Sequence, residues 1–427
     1  MAPHYAASQL SIRIRQLALG GAIVALALGA SGCKQQAETT PEADALASAS
    51  GTPTPDQAAW QQFILAVTPS ATSGKVAYET WASDQDIYVT PCTSPNNPSG
   101  CGVPNWPTST SLDAPKALTP SKLSLSHQGA DAKAQFGVEV IGPAQGCVVP
   151  TTSIQPPTKT QSAGAAFGSG FPASGCVGEE VRRDRASFDY LAQNGLWSTA
   201  GLAKFYAAKG TVAFPTNALE VKADWIPVAT LATWLNKPQS FVTTNFYTAS
   251  AVAQAGGPSV SYALTSMHVS VKTAAFPEWI WANFENAYTP GRCDQTGCSD
   301  SYGATVPKVP ANSATWGQYG ACAKPAALLN QFTGAKVAAV FGNYCLTGTQ
   351  TSFGTTTSPT LLGSPIIEPL NANVPLSQSS CISCHSVASF DVNGKHPPFT
   401  DIGGIGPQKP PAGYTAYDFM WGVLGAH

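Results

Sequence analysis

Apolar and polar positions alternate most regularly in "YALTSMHVSVKT". A period of two puts Ala263, Thr265, Met267, Val269 and Val271 on one side of a strand, and Leu264, Ser266 and His268 on the other. The surrounding "TVAFPTNALEVKADWIPV" and "PSVSYALTSMHVSVKTAAFPEWIWANFEN" are rich in β-branched and aromatic residues and predict further strands. "KVAYETW" and "KVAAVFGNYCL" read as two more. Helical spacing marks "AAWQQFILAVTP", where Trp60, Phe63 and Ile64 share a face, and "PAALLNQF". It also marks "EEVRRDRASFDYLAQNGLWSTAGLAKFYAAKG", a helical stretch that Gly195 is expected to break. Further on, "VPLSQSSCISCHSVASFDVNG" predicts a short helix from near Ser377 or Ser379 to about Asn393-Gly394. "GYTAYDFMWGVLGAH" predicts a last helix, with Thr415 as N-cap and a stripe of Tyr417, Met420, Trp421 and Leu424.

Between these elements the chain is turn chemistry, above all across a loop insert at about residues 91–180. Residues 33–57 lack aromatics and any apolar period, and read as a flexible tether. Residues 1–32 carry Arg13 and Arg15, then the short apolar run "LALGGAIVALALGA", then small residues before Cys33, the pattern of a secretory signal. Ala30, Ser31 and Gly32 directly before Cys33 resemble a bacterial lipoprotein signal, which makes Cys33 the expected lipid anchor. An ordinary signal peptide is the alternative, because Ala30 stands where leucine is usual. The whole predicts an α+β fold: a β-rich body over 58–370 with peripheral helices and disulfide-stapled loops, followed by a helical segment over 371–427.

Composition narrows the function. Charged residues make up 11% of the chain and the net charge is −2, with no basic run, so nothing favours nucleic acid or an anionic membrane face. Of the 11 cysteines, eight remain once Cys33, Cys381 and Cys384 are set aside. An even count in an exported chain predicts disulfides. Loop length favours sequence neighbours: Cys92 with Cys101, Cys147 with Cys176, Cys293 with Cys298, and Cys322 with Cys345. None of the eight has zinc-ligand spacing.

The sharpest chemical signal is "CISCH". Cys381, Cys384 and His385 form a C-x-x-C-H, the attachment pattern of one covalent haem c: two thioether sulfurs and an axial imidazole on one side of a helix. A thioredoxin-type redox pair would need a βαβ setting and gives the histidine no role. The second axial ligand is open. Met420, on its predicted helical stripe, is one candidate, although such a methionine is more often a core filler. His268 is the rival, as second ligand or as a distal residue over an open iron. Met267 is the other methionine beyond the signal, and Lys395 and His396 could meet a haem propionate.

"AAWQQFILAV", "YETW", "FDYLAQNGLW", "FPTNALEVKADW", "SMHVSVKTAAFPEWIWANFENAYTP" and "SSCISCHSVASF" together resemble bacterial exported mono-haem cytochrome c family proteins. The resemblance covers most of the chain from Trp60 onward and implies a β-rich body with one C-terminal haem. It carries no established reaction. Phe276 stands where members often have a histidine. The expected role is a membrane-tethered, periplasmic electron-transfer protein with a redox partner protein, the outer membrane being the favoured site. Two other roles compete. One is a haem enzyme acting on peroxide or another small oxidant, with Glu220, Lys222, Asp224, Glu278 or Glu285 as polar groups. Charges alternating along a strand are, however, usually a solvated face. The other is a haem-containing binding or sensor module that uses the loop insert.

Overall fold

The computed structural model describes residues 52–71, 75–89, 102–108, 119–120, 178–252, 259–289, 291–294, 296–303, 319–355, 357–366, 368, 379–398 and 405–426. The signal segment, Cys33, most of the tether, and Cys92, Cys101, Cys147 and Cys176 lie outside the described residues. The architecture is β-rich with several helices, as the α+β expectation has it.

An antiparallel sheet organises the chain. Its main path runs β1 (Ala82–Ser83), β3 (Gly178–Arg183), β4 (Leu219–Pro227), β6 (Ser259–Val271), β7 (Ile280–Asn286), β8 (Tyr344–Gln350). Off this path, β2 (Thr119–Pro120) pairs with β3, and β5 (Thr248–Val252) pairs with β6. The two faces differ in character. Val221 and Ala223 of β4, Met267 and Val269 of β6, and Ala282 and Phe284 of β7 lie in one buried apolar cluster. Helix α1 (Pro55–Val67) lays Trp60, Phe63 and Ile64 into that cluster, with Phe63 stacked on Phe284 at 4.3 Å. The alternate positions carry Glu220, Lys222, Ser266, His268, Ser270, Trp281, Asn283 and Glu285 to the opposite face.

Alternation slips in two places, between β7 and β8 at Asn283/Phe284 and between β4 and β6. Asp224 pairs with Ser266 but Trp225 pairs with Leu264, leaving Thr265 as an extra residue in β6, with its Oγ1 donating to the Asp224 carbonyl at 3.0 Å. Such a bulge exchanges the faces beyond it. Leu264 therefore joins Met267's cluster, while Ala263 packs with Ile226 and Leu231 in a separate one. The expected grouping of Ala263 with Met267 is corrected on that ground.

Other expectations also shift. Helix α1 begins at Pro55 with a Thr54–Gln57 capping box, so the last residues of the expected tether form its first turn. "KVAYETW" is largely a 3₁₀ turn over Ala77–Thr80, held by Glu79, whose Oε2 accepts the Val76 N–H at 3.1 Å and the Tyr247 hydroxyl at 2.5 Å. The helical stretch expected around 179–210 begins as a strand and continues as two helices, α2 (Arg185–Asn194) and α3 (Thr199–Ala207), divided at Gly195 as expected. Asp184 sets the break. Its carboxylate accepts from Ser187 N at 2.9 Å and Leu219 N at 3.1 Å, so the helix starts only after it. Gly195 closes α2 at φ 67°. Helices α4 (Val228–Leu235) and α5 (Gln239–Asn245) were not anticipated, whereas α6 (Ala326–Gly334) matches "PAALLNQF". "KVAAVFGNYCL" enters β8 only at Tyr344, after a 3₁₀ turn over Ala339–Asn343. Cys293–Cys298 and Cys322–Cys345 are disulfides, paired as loop length favours.

The last segment departs furthest. Helix α7 (Cys381–His385) has five residues, and the chain then runs into β9 (Ser389–Phe390), paired with β10 (Thr415–Ala416). The helix expected from Thr415 does not form, because Asp418 and Phe419 both take positive φ, 51° and 69°. Asp418 is committed elsewhere: its carboxylate meets Lys272 Nζ and accepts from Phe214 N at 2.6 Å, and its carbonyl accepts Trp279 Nε1 at 3.0 Å. A short 3₁₀ turn, Trp421–Gly425, follows.

The buried polar face has a measurable consequence. Burial pushes the Glu285 carboxyl up to about 8, against hydrogen bonds from Ser364 and Asn283. In the folded chain it stays protonated where an unfolded one ionises, so stability falls as pH rises through the window between about 4.5 and 8. The Glu285→Gln variant should flatten that fall, which is up to ~1.4 kcal/mol per pH unit, in urea titrations across this range. An unchanged slope would show that Glu285 does not cause it.

Candidate haem site

Helix α7 sits against the polar face through a set of buried hydrogen bonds. Ser380 is its N-cap, accepting from Ser383 N at 3.3 Å, and its carbonyl accepts Cys384 N at 3.0 Å. Gln350, at the end of β8, reaches both sides of that cap. Its Oε1 accepts Ile382 N at 2.9 Å, and its Nε2 donates to Ser380 Oγ at 3.0 Å and to the Thr360 carbonyl at 2.9 Å. Ser383 Oγ donates to the Gly406 carbonyl at 2.8 Å. The helix is therefore positioned by β8 on one side and by the segment around Gly406 on the other.

Cys381 and Cys384 are the free cysteines among the described residues, whereas Cys293, Cys298, Cys322 and Cys345 are all in disulfides. Burial raises both free thiols, Cys384 up to about 11 and Cys381 well above the ordinary thiol range. His385 Nδ1 lies 2.7 Å from the Phe419 carbonyl, which can only accept, so Nδ1 carries the proton and Nε2 keeps its lone pair. Burial pushes this imidazole down to about 4, opposed by the Phe419 bond and reinforced by Lys222, so it is neutral at pH 7. The Trp281 ring packs on it at 4.2 Å between centroids.

Cys381 and His385 border a narrow cavity lined also by Glu220, Lys222, His268, Ser270, Trp281 and Ala282. Residues 369–378 and 399–404, which flank the C-x-x-C-H segment in sequence, lie outside the described residues. The donor set fits a c-type haem: two reduced thiols and a neutral imidazole whose second nitrogen is already hydrogen-bonded, the usual arrangement behind a metal-ligating histidine. No cluster of three or more His, Cys, Asp or Glu side chains suited to a bare metal ion occurs among the described residues.

The two candidate second ligands are placed differently. Met420 is fully buried in an apolar cluster with Ile382, Phe390, Tyr417 and Val423; that cluster also takes in Trp281 and Cys381, but Met420 itself does not line the cavity. Met267 lies on the opposite face of the sheet. His268 lines the same cavity as His385, and burial, Lys222 and His385 together push it down to about 3 against a side-chain hydrogen bond with Asn283. Its Nε2 has no hydrogen-bond partner, the nearest carboxylate oxygen being Glu368 Oε1 at 3.9 Å. His396 Nδ1 lies 2.8 Å from the Pro397 carbonyl, and neither it nor Lys395 lines the cavity.

The strand charges are a correction. Glu220, Asp224 and Glu285 are buried, not a solvated face, because the C-terminal segment and its neighbours cover that side of the sheet. Glu220 forms an ion pair with Arg183 Nε at 2.8 Å. Glu278 is exposed. Gln350, Trp281 and the Phe419 carbonyl escape any reading of the sequence, since no motif marks them. No family model matches this chain, and neither does any curated protein or solved structure.

Truncating Gln350 leaves the Ile382 N–H without its acceptor in a buried setting and removes the bridge to Ser380 Oγ and the Thr360 carbonyl, although Ser380 Oγ keeps its bonds with Ser383. Gln350→Ala should cost about 2 kcal/mol of stability, read as a lowered urea midpoint with unchanged m-value. A midpoint equal to wild type would mean that β8 does not hold the helix.

Proposed function

We propose that this chain is an exported, lipid-tethered, mono-haem c-type cytochrome that transfers electrons on the periplasmic side of a bacterial membrane, the outer membrane favoured. The observation that carries the reading is the state of the C-x-x-C-H side chains. Both thiols are free in a chain whose other described cysteines are disulfide-bonded, and the adjacent imidazole has its Nδ1 proton fixed on Phe419. Cys381 and Cys384 would hold the haem covalently and His385 would ligate the iron. Bound there, the haem supplies a one-electron couple whose potential the protein sets through ligands, burial and hydrogen bonds. The chain's own residues orient it: Ser380 and Gln350 hold α7, and Phe419 fixes the ligand's tautomer. Disulfides and the signal segment support an oxidising compartment. Cys33 is the proposed anchor, and a redox protein the proposed partner.

One observation favours a second reading. A neutral imidazole, His268, stands in the cavity with Nε2 unbonded, where it could serve as a distal acid–base group for peroxide chemistry.

Purified protein from a host that matures c-type cytochromes separates the two. A carrier gives one reversible one-electron wave and exchanges electrons with a small redox protein without consuming peroxide. Sustained peroxide turnover that falls at least tenfold in His268→Ala would contradict the carrier reading and support the enzyme. The anchor has its own check: Cys33→Ala should move the protein from the membrane fraction to the soluble one, and unchanged fractionation would remove the lipoprotein assignment.

A further inference from the structure

Resting on the haem reading above, we infer that His268 is the second axial ligand of the iron, making this a bis-histidine site. Four observations converge. First, the helix carrying His385 and the strand carrying His268 border one cavity, so two imidazoles from separate elements meet a single space. Second, His268 is held by the most heavily paired strand of the sheet: β6 has β4 on one edge and β5 and β7 on the other, opposite Lys222 and Asn283 at this position. A ligand on such a strand is set by the ladder and not by a loop. Third, its Nε2 is buried and makes no hydrogen bond, although buried polar atoms are nearly always satisfied. An iron bond would supply the missing partner. Fourth, neither sulfur alternative lines the cavity: Met420 is packed among Ile382, Phe390 and Tyr417, and Met267 projects to the other face of the sheet. His396 does not line the cavity, and His127 and His427 lie outside the described residues.

A bis-imidazole iron has both faces taken. Oxidant or carbon monoxide then binds only after a ligand leaves, which favours electron transfer over peroxide chemistry at this site.

The test is near-infrared magnetic circular dichroism of the ferric protein with carbon monoxide titration of the ferrous form, on wild type, His268→Ala and His268→Met. Pyridine-haemochrome quantitation is run on each sample, and it reports haem attachment whatever the axial ligand. The expected result is a low-spin bis-imidazole signature in wild type that resists carbon monoxide. It should become high-spin and carbon-monoxide-binding in His268→Ala, return on adding imidazole, and shift to a His–Met signature in His268→Met. A low-spin spectrum that survives His268→Ala but is lost in Lys222→Met or Met420→Leu would overturn the inference and name the true ligand. High-spin wild type would overturn it in favour of an open iron. Absence of haemochrome in every sample would remove the haem reading itself, and the inference with it.

Discussion

The hydrogen bond between His385 Nδ1 and the Phe419 carbonyl, at 2.7 Å, is the contact on which the arrangement of the site depends. It joins a five-residue helix to a chain segment more than thirty positions later, and it decides which imidazole nitrogen remains available. The carbonyl is in place because Asp418 and Phe419 turn the backbone through consecutive left-handed conformations. That turn is tied to the segments next to β6, β7 and β4 by Lys272, Trp279 and Phe214. Positive φ at two non-glycine residues is unfavourable by itself, and the surrounding bonds hold it. The segments flanking the sheet thus fix the turn, and the turn fixes the histidine.

The sheet's two faces divide the labour. One is a dry apolar surface closed by α1, with Phe63 on Phe284 and Trp60 bonded to Asp300. The other is polar and buried. Charged groups there require compensation, since an unpaired buried charge is costly. Glu220 has Arg183, Asp418 has Lys272, and Glu285 stays protonated instead of ionised. Two imidazoles remain neutral. A face built this way keeps two uncharged imidazoles beside two free thiols, while burying several groups that would otherwise be in water.

Much of this is written locally in the chain, and some is not. Alternation in "TSMHVSV" separates His268 from Met267 correctly, because over those residues the β6 pleat is regular. The same pattern misplaces Ala263, since a one-residue bulge at Thr265 leaves no signature in hydrophobicity. The Tyr417–Leu424 stripe imitates a helix, yet the competing bonds of Asp418 lie in Lys272 and Phe214, far away in sequence. Trp60, Phe63 and Ile64 needed no such partner to be read, because a capping box and a helical period act within a few residues. The C-x-x-C-H is legible as a motif, but Gln350 and Phe419 serve it through contacts that only the fold creates.

The claim that everything else rests on is covalent attachment of one haem at Cys381 and Cys384. Intact mass spectrometry of the denatured, matured protein tests it most directly, by comparing wild type with the Cys381→Ser/Cys384→Ser variant so that any lipid on Cys33 cancels. The account predicts that wild type is heavier by one haem, allowing for the two oxygen-for-sulfur exchanges. A difference explained by those exchanges alone, with Cys381 and Cys384 free or joined to each other, would contradict it.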